Sequence, residues 1–130
     1  MSLEIVTPGP FATVQDLGRP GLAGIGVGGS GAADRGALRL ANRLVGNPES
    51  AAAVELTLGG LVATFRTAAL IALSGAPCRV TVGGRAADMY APVWVPAGAE
   101  IRLGTPESGL RSYLAVRGGL DVPPVLGSRA

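Results

Sequence analysis

The 130-residue chain carries a net charge of only +2 and is 48% hydrophobic, enough for one domain with a real core. All eleven basic residues are arginine, and the absence of Lys and His excludes a Schiff base, a Walker-type lysine, a biotin attachment site, a Ser-His-Asp triad and a His-based metal site. The scattered arginines and the 4% aromatic content argue against a nucleic-acid surface, and no apolar run approaches the ~20 residues that a membrane-spanning helix needs.

Leu3 to Val6 reads as a first strand, ended by Thr7-Pro8-Gly9-Pro10. Thr13 to Gly21 reads as a polar, turn-rich stretch, and Gly24 to Gly31 is glycine-rich. The one clear helix spans about Asp34 to Val45, because Leu38, Ala41, Leu44 and Val45 recur at helical spacing. Asp34 suits its N-cap, and Gly46-Asn47-Pro48 stops it. Arg35, Arg39 and Arg43 recur on another face, read either as a solvated stripe or as a contact with a partner subunit.

The pattern then becomes β. Ala53 to Leu58 and Leu61 to Arg66 flank Gly59-Gly60, and Arg79 to Val82 and Ala86 to Tyr90 flank Gly83-Gly84; both read as hairpins. Leu70 to Leu73, Pro92 to Val95, Glu100 to Leu103 and Leu110 to Val116 read as further strands. Strands at this spacing predict a mainly β barrel or sandwich.

Candidate functional residues lie mostly in the first half. The glycine-rich segment matches G-x-G-x-x-G twice, at Gly24 to Gly29 and at Gly26 to Gly31. No hydrophobic strand precedes it, so the dinucleotide reading fails in context; an anion on the free N–H groups of the helix start fits better. Gln15, Asp16 and Arg19 lie close together in an expected turn, near Ser30 and Asp34. There Arg19 would clamp a carboxylate or phosphate and Asp16 would orient it, the plain alternative being a polar turn. Alternation puts Val54, Leu56 and Leu58 on one strand face and Glu55 and Thr57 on the other. Glu55 therefore points either to a solvated outer face or inward to a barrel lumen. Cys78, the single cysteine, reads as a buried small hydrophobe in preference to a reactive thiol. The sequence names no catalytic residue. With no secretion signal at the N-terminus, a cytoplasmic location is expected.

Leu3-Glu4-Ile5-Val6-Thr7-Pro8-Gly9, Thr13-Val14-Gln15-Asp16-Leu17-Gly18-Arg19-Pro20-Gly21, Ser30-Gly31-Ala32, Asp34, Leu38 and Ala41 to Asn47 resemble the opening of a known family. The match continues through Glu55, Thr57 to Gly60, Ser74-Gly75-Ala76, Tyr113 to Gly119, Asp121-Val122-Pro123 and Val125 to Arg129. The chain is identified on these blocks as a member of the biotin-dependent-carboxyltransferase-like family. That family includes the C-type subunit of 5-oxoprolinase, allophanate hydrolase subunit 2 and KipA-type antagonists of a histidine-kinase inhibitor.

The resemblance implies a cyclophilin-like β-barrel with one principal helix near residues 34–45. It implies that residues 1–130 are the N-terminal half of a carboxyltransferase-like subunit whose second half is absent. It further implies a homologous partner subunit and a third, amidohydrolase subunit. The function so implied is a subunit of an ATP-dependent 5-oxoprolinase or allophanate hydrolase complex that helps bind a small cyclic amide or urea-derived substrate. ATP is used by the complex, and no cofactor is bound covalently. The alternative is a regulatory or scaffolding module that binds a homologous partner and does no chemistry. On either reading this chain alone is expected to hydrolyse neither 5-oxoproline nor allophanate. The chain departs from the family where a bulky aromatic and a His usually follow Arg-Pro-Gly, reading Leu22-Ala23-Gly24-Ile25-Gly26 instead. Gly28 and Ala33 stand where Pro and Met are usual.

Overall fold

A computed structural model describes residues 3–17 and 32–120. Its elements are β1 (Leu3–Thr7), β2 (Phe11–Gln15), α1 (Arg35–Leu44), β3 (Ala53–Thr57), β4 (Val62–Phe65) and β5 (Ala69–Gly75). They continue with β6 (Val80–Val82), β7 (Arg85–Ala87), β8 (Val93–Val95), β9 (Ile101–Leu103) and β10 (Arg111–Val116). The strands form two five-stranded sheets, in the orders β1-β4-β9-β6-β7 and β2-β3-β10-β5-β8. All their pairings are antiparallel. The expected class, mainly β with one principal helix, is the observed one.

Strand alternation builds the space between the sheets. Leu56, Ile71, Leu73 and Leu114 from one sheet meet Ala63, Phe65, Val80, Ile101 and Leu103 from the other in one buried cluster. The opposite face of the second sheet is covered by α1, whose Leu38, Ala41 and Val45 pack on Ala53, Ala72, Tyr113 and Ala115. The three alanines on the strands leave room for the helix to approach. Ser74 on the same face donates its hydroxyl to the carbonyl of Ala37 at 2.6 Å, which fixes the helix on the sheet.

The helix ends as its sequence predicts. Asp34 is the N-cap, with Oδ1 accepting from the Ala37 N–H at 3.0 Å, and Gly46 follows the C-cap at φ +76°. Arg35, Arg39 and Arg43 are exposed, and Arg43 lies 3.5 Å from Glu49. The buried stripe also holds a polar member that periodicity does not predict. Asn42 donates to the carbonyls of Glu49 and Ala51, pinning the loop that leads into β3.

Three expectations need correction. Gly59-Gly60 is no hairpin: β3 pairs with β2 and β10, whereas β4 pairs with β1 and β9. The glycines instead carry the chain from one sheet to the other, and Leu58, Gly59 and Gly60 all have positive φ. A Cβ on Gly59 would stand 2.1 Å from the Gly104 carbonyl oxygen, and one on Gly9 would stand 2.1 Å from that of Gly59. Close approach of three chain segments therefore demands glycine there. Gly83-Gly84 does join a hairpin, β6–β7, with φ of +57° and +82°. Its second strand is short, however, and ends at Ala87 where the sequence suggests Tyr90. Finally, Thr13, Val14 and Gln15 belong to β2, and so to a strand rather than a turn.

Among the described residues no helix is long and apolar enough to cross a membrane.

Candidate functional site

Register places a polar row across the outer face of the second sheet. Thr13 on β2 stands opposite Glu55 on β3, Glu55 opposite Tyr113 on β10, and Tyr113 opposite Ser74 on β5. Directly opposite residues share a face, so this row lies under the start of α1. A buried carboxylate needs partners, and Glu55, only 6% exposed, has them. Its Oε2 accepts from the Tyr113 hydroxyl at 2.7 Å and from the Ala33 N–H at 2.9 Å. Its Oε1 lies 3.5 Å from Nε of Arg111, which sits two residues before Tyr113 on the same strand face.

The network runs on into the helix cap. Tyr113, fully buried, accepts at its hydroxyl oxygen from the Asp34 N–H at 2.8 Å while donating to Glu55. Burial, and then the hydrogen bond to the Glu55 carboxylate, push the phenol well above its usual pKa, with the Asp34 N–H acting the other way. The phenol therefore remains a neutral donor. On the other side, the carbonyl of Asp16 accepts from the Ala32 N–H at 2.9 Å. Residues 32–34 are thus tied to the sheet at Asp16, Glu55 and Tyr113.

This anchored segment forms one wall of an open cleft of about 270 Å³, lined by Ala33, Asp34, Ala76, Gly109, Leu110 and Arg111. The Arg111 side chain is 36% exposed, and its terminal nitrogens have no partner among the described residues. Oδ1 of Asp34 is taken by its own cap, and Oδ2 has no partner among them. Donors and an acceptor therefore face one small space. Phe11 stands opposite Thr57, which stands opposite Arg111, and the Leu58 N–H bonds the carbonyl of Leu110. Phe11, Leu58 and Leu110, all exposed, thus edge this end of the sheet.

Of the residues singled out from sequence, the structure joins Glu55 and Asp34 in one network through Tyr113. Gln15 ends β2, where its Nε2 donates to Thr13 at 3.0 Å and its buried Oε1 has no partner among the described residues. The Asp16 side chain is buried. Arg19, Ser30 and both glycine-rich matches lie outside the described residues. Neither reading of Glu55 holds as stated: it points away from the inter-sheet core, yet the roof of residues 32–34 keeps water from it. Sequence reasoning passed over Arg111 and Tyr113. Their signal was present, as polar groups at i and i+2 of a strand whose alternate positions, Leu114 and Val116, are apolar. Cys78 is partly buried against the core, and burial raises its thiol pKa, offset in part by Ser112, as suits a small hydrophobe.

Comparison with known proteins bears on what this arrangement serves. The family model described as carboxyltransferase domain, subdomain A and B, matches residues 25–130. The C-type subunit of 5-oxoprolinase from Escherichia coli (strain K12) is 46% identical over 126 residues, covering 97% of this chain and 41% of that protein. The urea amidolyase of Lachancea kluyveri is 43% identical over 130 residues, covering 99% of this chain and 7% of that protein. The crystal structure of the K. lactis urea amidolyase superposes with a TM-score of 0.95 at 41% identity, over 98% of this chain and 8% of that one. The chain thus spans less than half the length of each of these relatives.

Proposed function

This chain belongs to the carboxyltransferase domain family, subdomain A and B, and from that membership we propose that it works as part of a 5-oxoprolinase- or urea amidolyase-type assembly. In this reading residues 1–130 form the N-terminal half of a carboxyltransferase-like subunit. The cleft between Asp34 and Arg111 is the portion of the substrate site that this half contributes. The substrate is a small cyclic amide or a urea derivative, and ATP is consumed by the assembly. The assembly also holds a homologous carboxyltransferase-like partner and an amidohydrolase subunit.

The observation that carries the reading is the buried Glu55 carboxylate, held by Tyr113 and the Ala33 N–H and reaching toward Arg111 at the cleft. Such a network fixes the direction of a guanidinium before a ligand arrives, which is how a site gains from preorganisation. Arg111 donates to a substrate oxygen, Asp34 accepts, and Tyr113, kept neutral, holds the carboxylate behind them. The exposed Phe11, Leu58 and Leu110 favour a protein surface that closes the cleft on its open side.

The test is reconstitution. The protein containing this chain is co-expressed with its candidate partner subunits, and ATP-coupled conversion of 5-oxoproline and of urea derivatives is followed. Turnover that requires this chain, with none from the 130 residues alone, is the expected result. An assembly that forms but whose turnover does not depend on Arg111 and Asp34 would move the assignment to the regulatory or scaffolding role.

A further inference from the structure

Two carboxylates, Glu55 and Asp34, stand at or beside a cleft with one guanidinium, Arg111. The formal balance is one negative charge, which disfavours an anionic group between them. What the cleft offers is complementary in another way: Arg111 presents N–H donors and Oδ2 of Asp34 an acceptor, both without a partner among the described residues. A group that supplies an oxygen acceptor and an N–H donor along one edge satisfies both at once.

We propose that the Asp34–Arg111 cleft recognises the cis H–N–C=O edge of a small neutral amide, the edge shared by lactams and ureas and missing from an ordinary trans amide. The proposal deepens the function given above and rests on it for the identity of the site. It gives that site a substrate class, defined by the amide edge and not by any carboxylate the molecule also carries. In a trans amide the N–H and C=O point in opposite directions, so only one of the two protein groups is reached. In a five-membered lactam, or in urea, the two lie side by side. The volume of about 270 Å³ suits such a molecule, being at the lower margin of sites for drug-sized ligands. The walls agree: Ala33 and Ala76 are small, and a Cβ at Gly109, already at φ +75°, would stand 3.1 Å from that of Ala76. Glu55 and Tyr113 act as positioning residues, since they fix Arg111 and the Asp34 backbone without lining the cleft themselves.

The experiment titrates the isotopically labelled chain by nuclear magnetic resonance with four fragments: 2-pyrrolidinone, N-methyl-2-pyrrolidinone, N-methylacetamide and 5-oxoproline. 2-Pyrrolidinone should bind with an affinity on the order of millimolar. It should move the amide signals of residues 33–34, 76 and 109–111. The N-methylated lactam and the trans amide should each bind roughly tenfold more weakly, the scale of one charge-assisted hydrogen bond. Asp34→Asn keeps the helix cap but puts a donor where the second oxygen was, and should weaken 2-pyrrolidinone as much. Arg111→Gln should do the same, with signal dispersion confirming the fold of both variants. Equal binding of the N-methylated lactam, indifference to both substitutions, or no binding of 2-pyrrolidinone overturns the proposal. If 5-oxoproline binds at the cleft regardless of Asp34 and Arg111, the edge recognition fails while the broader function stands. If the lactam edge is read as described but the reconstituted assembly converts neither 5-oxoproline nor urea derivatives, the broader function fails instead.

Discussion

On the inner face of the second sheet, Val54, Leu56, Leu73, Leu114 and Val116 meet the other sheet with apolar side chains. On the outer face of the same strands, Glu55, Ser74 and Tyr113 are as deeply buried, yet each is hydrogen-bonded to the segment that opens α1. The two faces exclude water by different physics. The inner face gains stability roughly in proportion to apolar area and tolerates a range of hydrophobic shapes. The outer face gains little net free energy per hydrogen bond, but each group there loses heavily if its partner is removed. A strand that alternates between these regimes supports a fold with one set of residues and aims a site with the other.

Substitutions sharpen the contrast. Phe65→Ala, in the inter-sheet core, should destabilise by about 3–5 kcal/mol in denaturant unfolding while leaving fragment binding at the cleft unchanged in the folded fraction. Loss of cleft binding in that variant would mean the two faces are not separable. Tyr113→Phe keeps the ring but strips one donor from Glu55 and the acceptor from the Asp34 N–H. The expected loss is about 1.5–3 kcal/mol, the range for bonds to charged groups. Unlike Phe65→Ala, it should also weaken 2-pyrrolidinone binding, because Arg111 and residues 33–34 lose their fixed positions. A Tyr113→Phe variant as stable as wild type would show the outer network to be dispensable.

The same contrast decides what was legible in the sequence. Helix α1 was legible to within a residue at each end, since Asp34, the apolar spacing and Gly46 are local signals. The inner faces of β3 and β10 were legible from alternation. Strand β2 was not: Thr13, Gln15 and Asp16 look like turn residues, and only pairing with β3 across the intervening helix makes Phe11–Gln15 a strand. Gly59-Gly60 misled for a related reason. A hairpin and a corner between sheets both call for positive φ, and only the crowding of Gly9 and Gly104 against the chain distinguishes them. Glu55 was singled out, but its partners Tyr113 and Ala33 lie 58 and 22 residues away. Nothing local to any of the three announces that they meet.

A smaller effect tests the roof itself. Asp34→Ala removes the N-cap acceptor of α1 and should cost about 1 kcal/mol, within the usual range of roughly 0.5–2 kcal/mol. Asp34→Ser should recover most of that stability, because serine also caps, without recovering 2-pyrrolidinone binding. Stability and binding that return together would tie the role of Asp34 to the helix and not to the cleft.

The smallest expected effect is a pH dependence that belongs to the outer face alone. With no Lys and no His in the chain, stability should change little between about pH 6 and 8. In the unfolded chain Tyr113 loses its proton near pH 10, whereas in the fold burial and the Glu55 carboxylate hold the proton to higher pH. The folded value being the raised one, this stabilisation is fully present below about pH 10 and is lost as pH rises toward the folded value. The loss is about 0.4 kcal/mol at pH 10 and approaches about 1.4 kcal/mol per further pH unit. Cys78, also raised by burial, adds a slope of the same sign that begins near pH 9, so the comparison is best made in a Cys78→Ser background. There, Phe65→Ala should keep the alkaline slope of its parent between about pH 9.5 and 11, and Tyr113→Phe should lose the part due to the phenol. If both variants titrate alike, the phenol is not held by Glu55 under the helix start, and the distinction between the two faces of the sheet fails at its central residue.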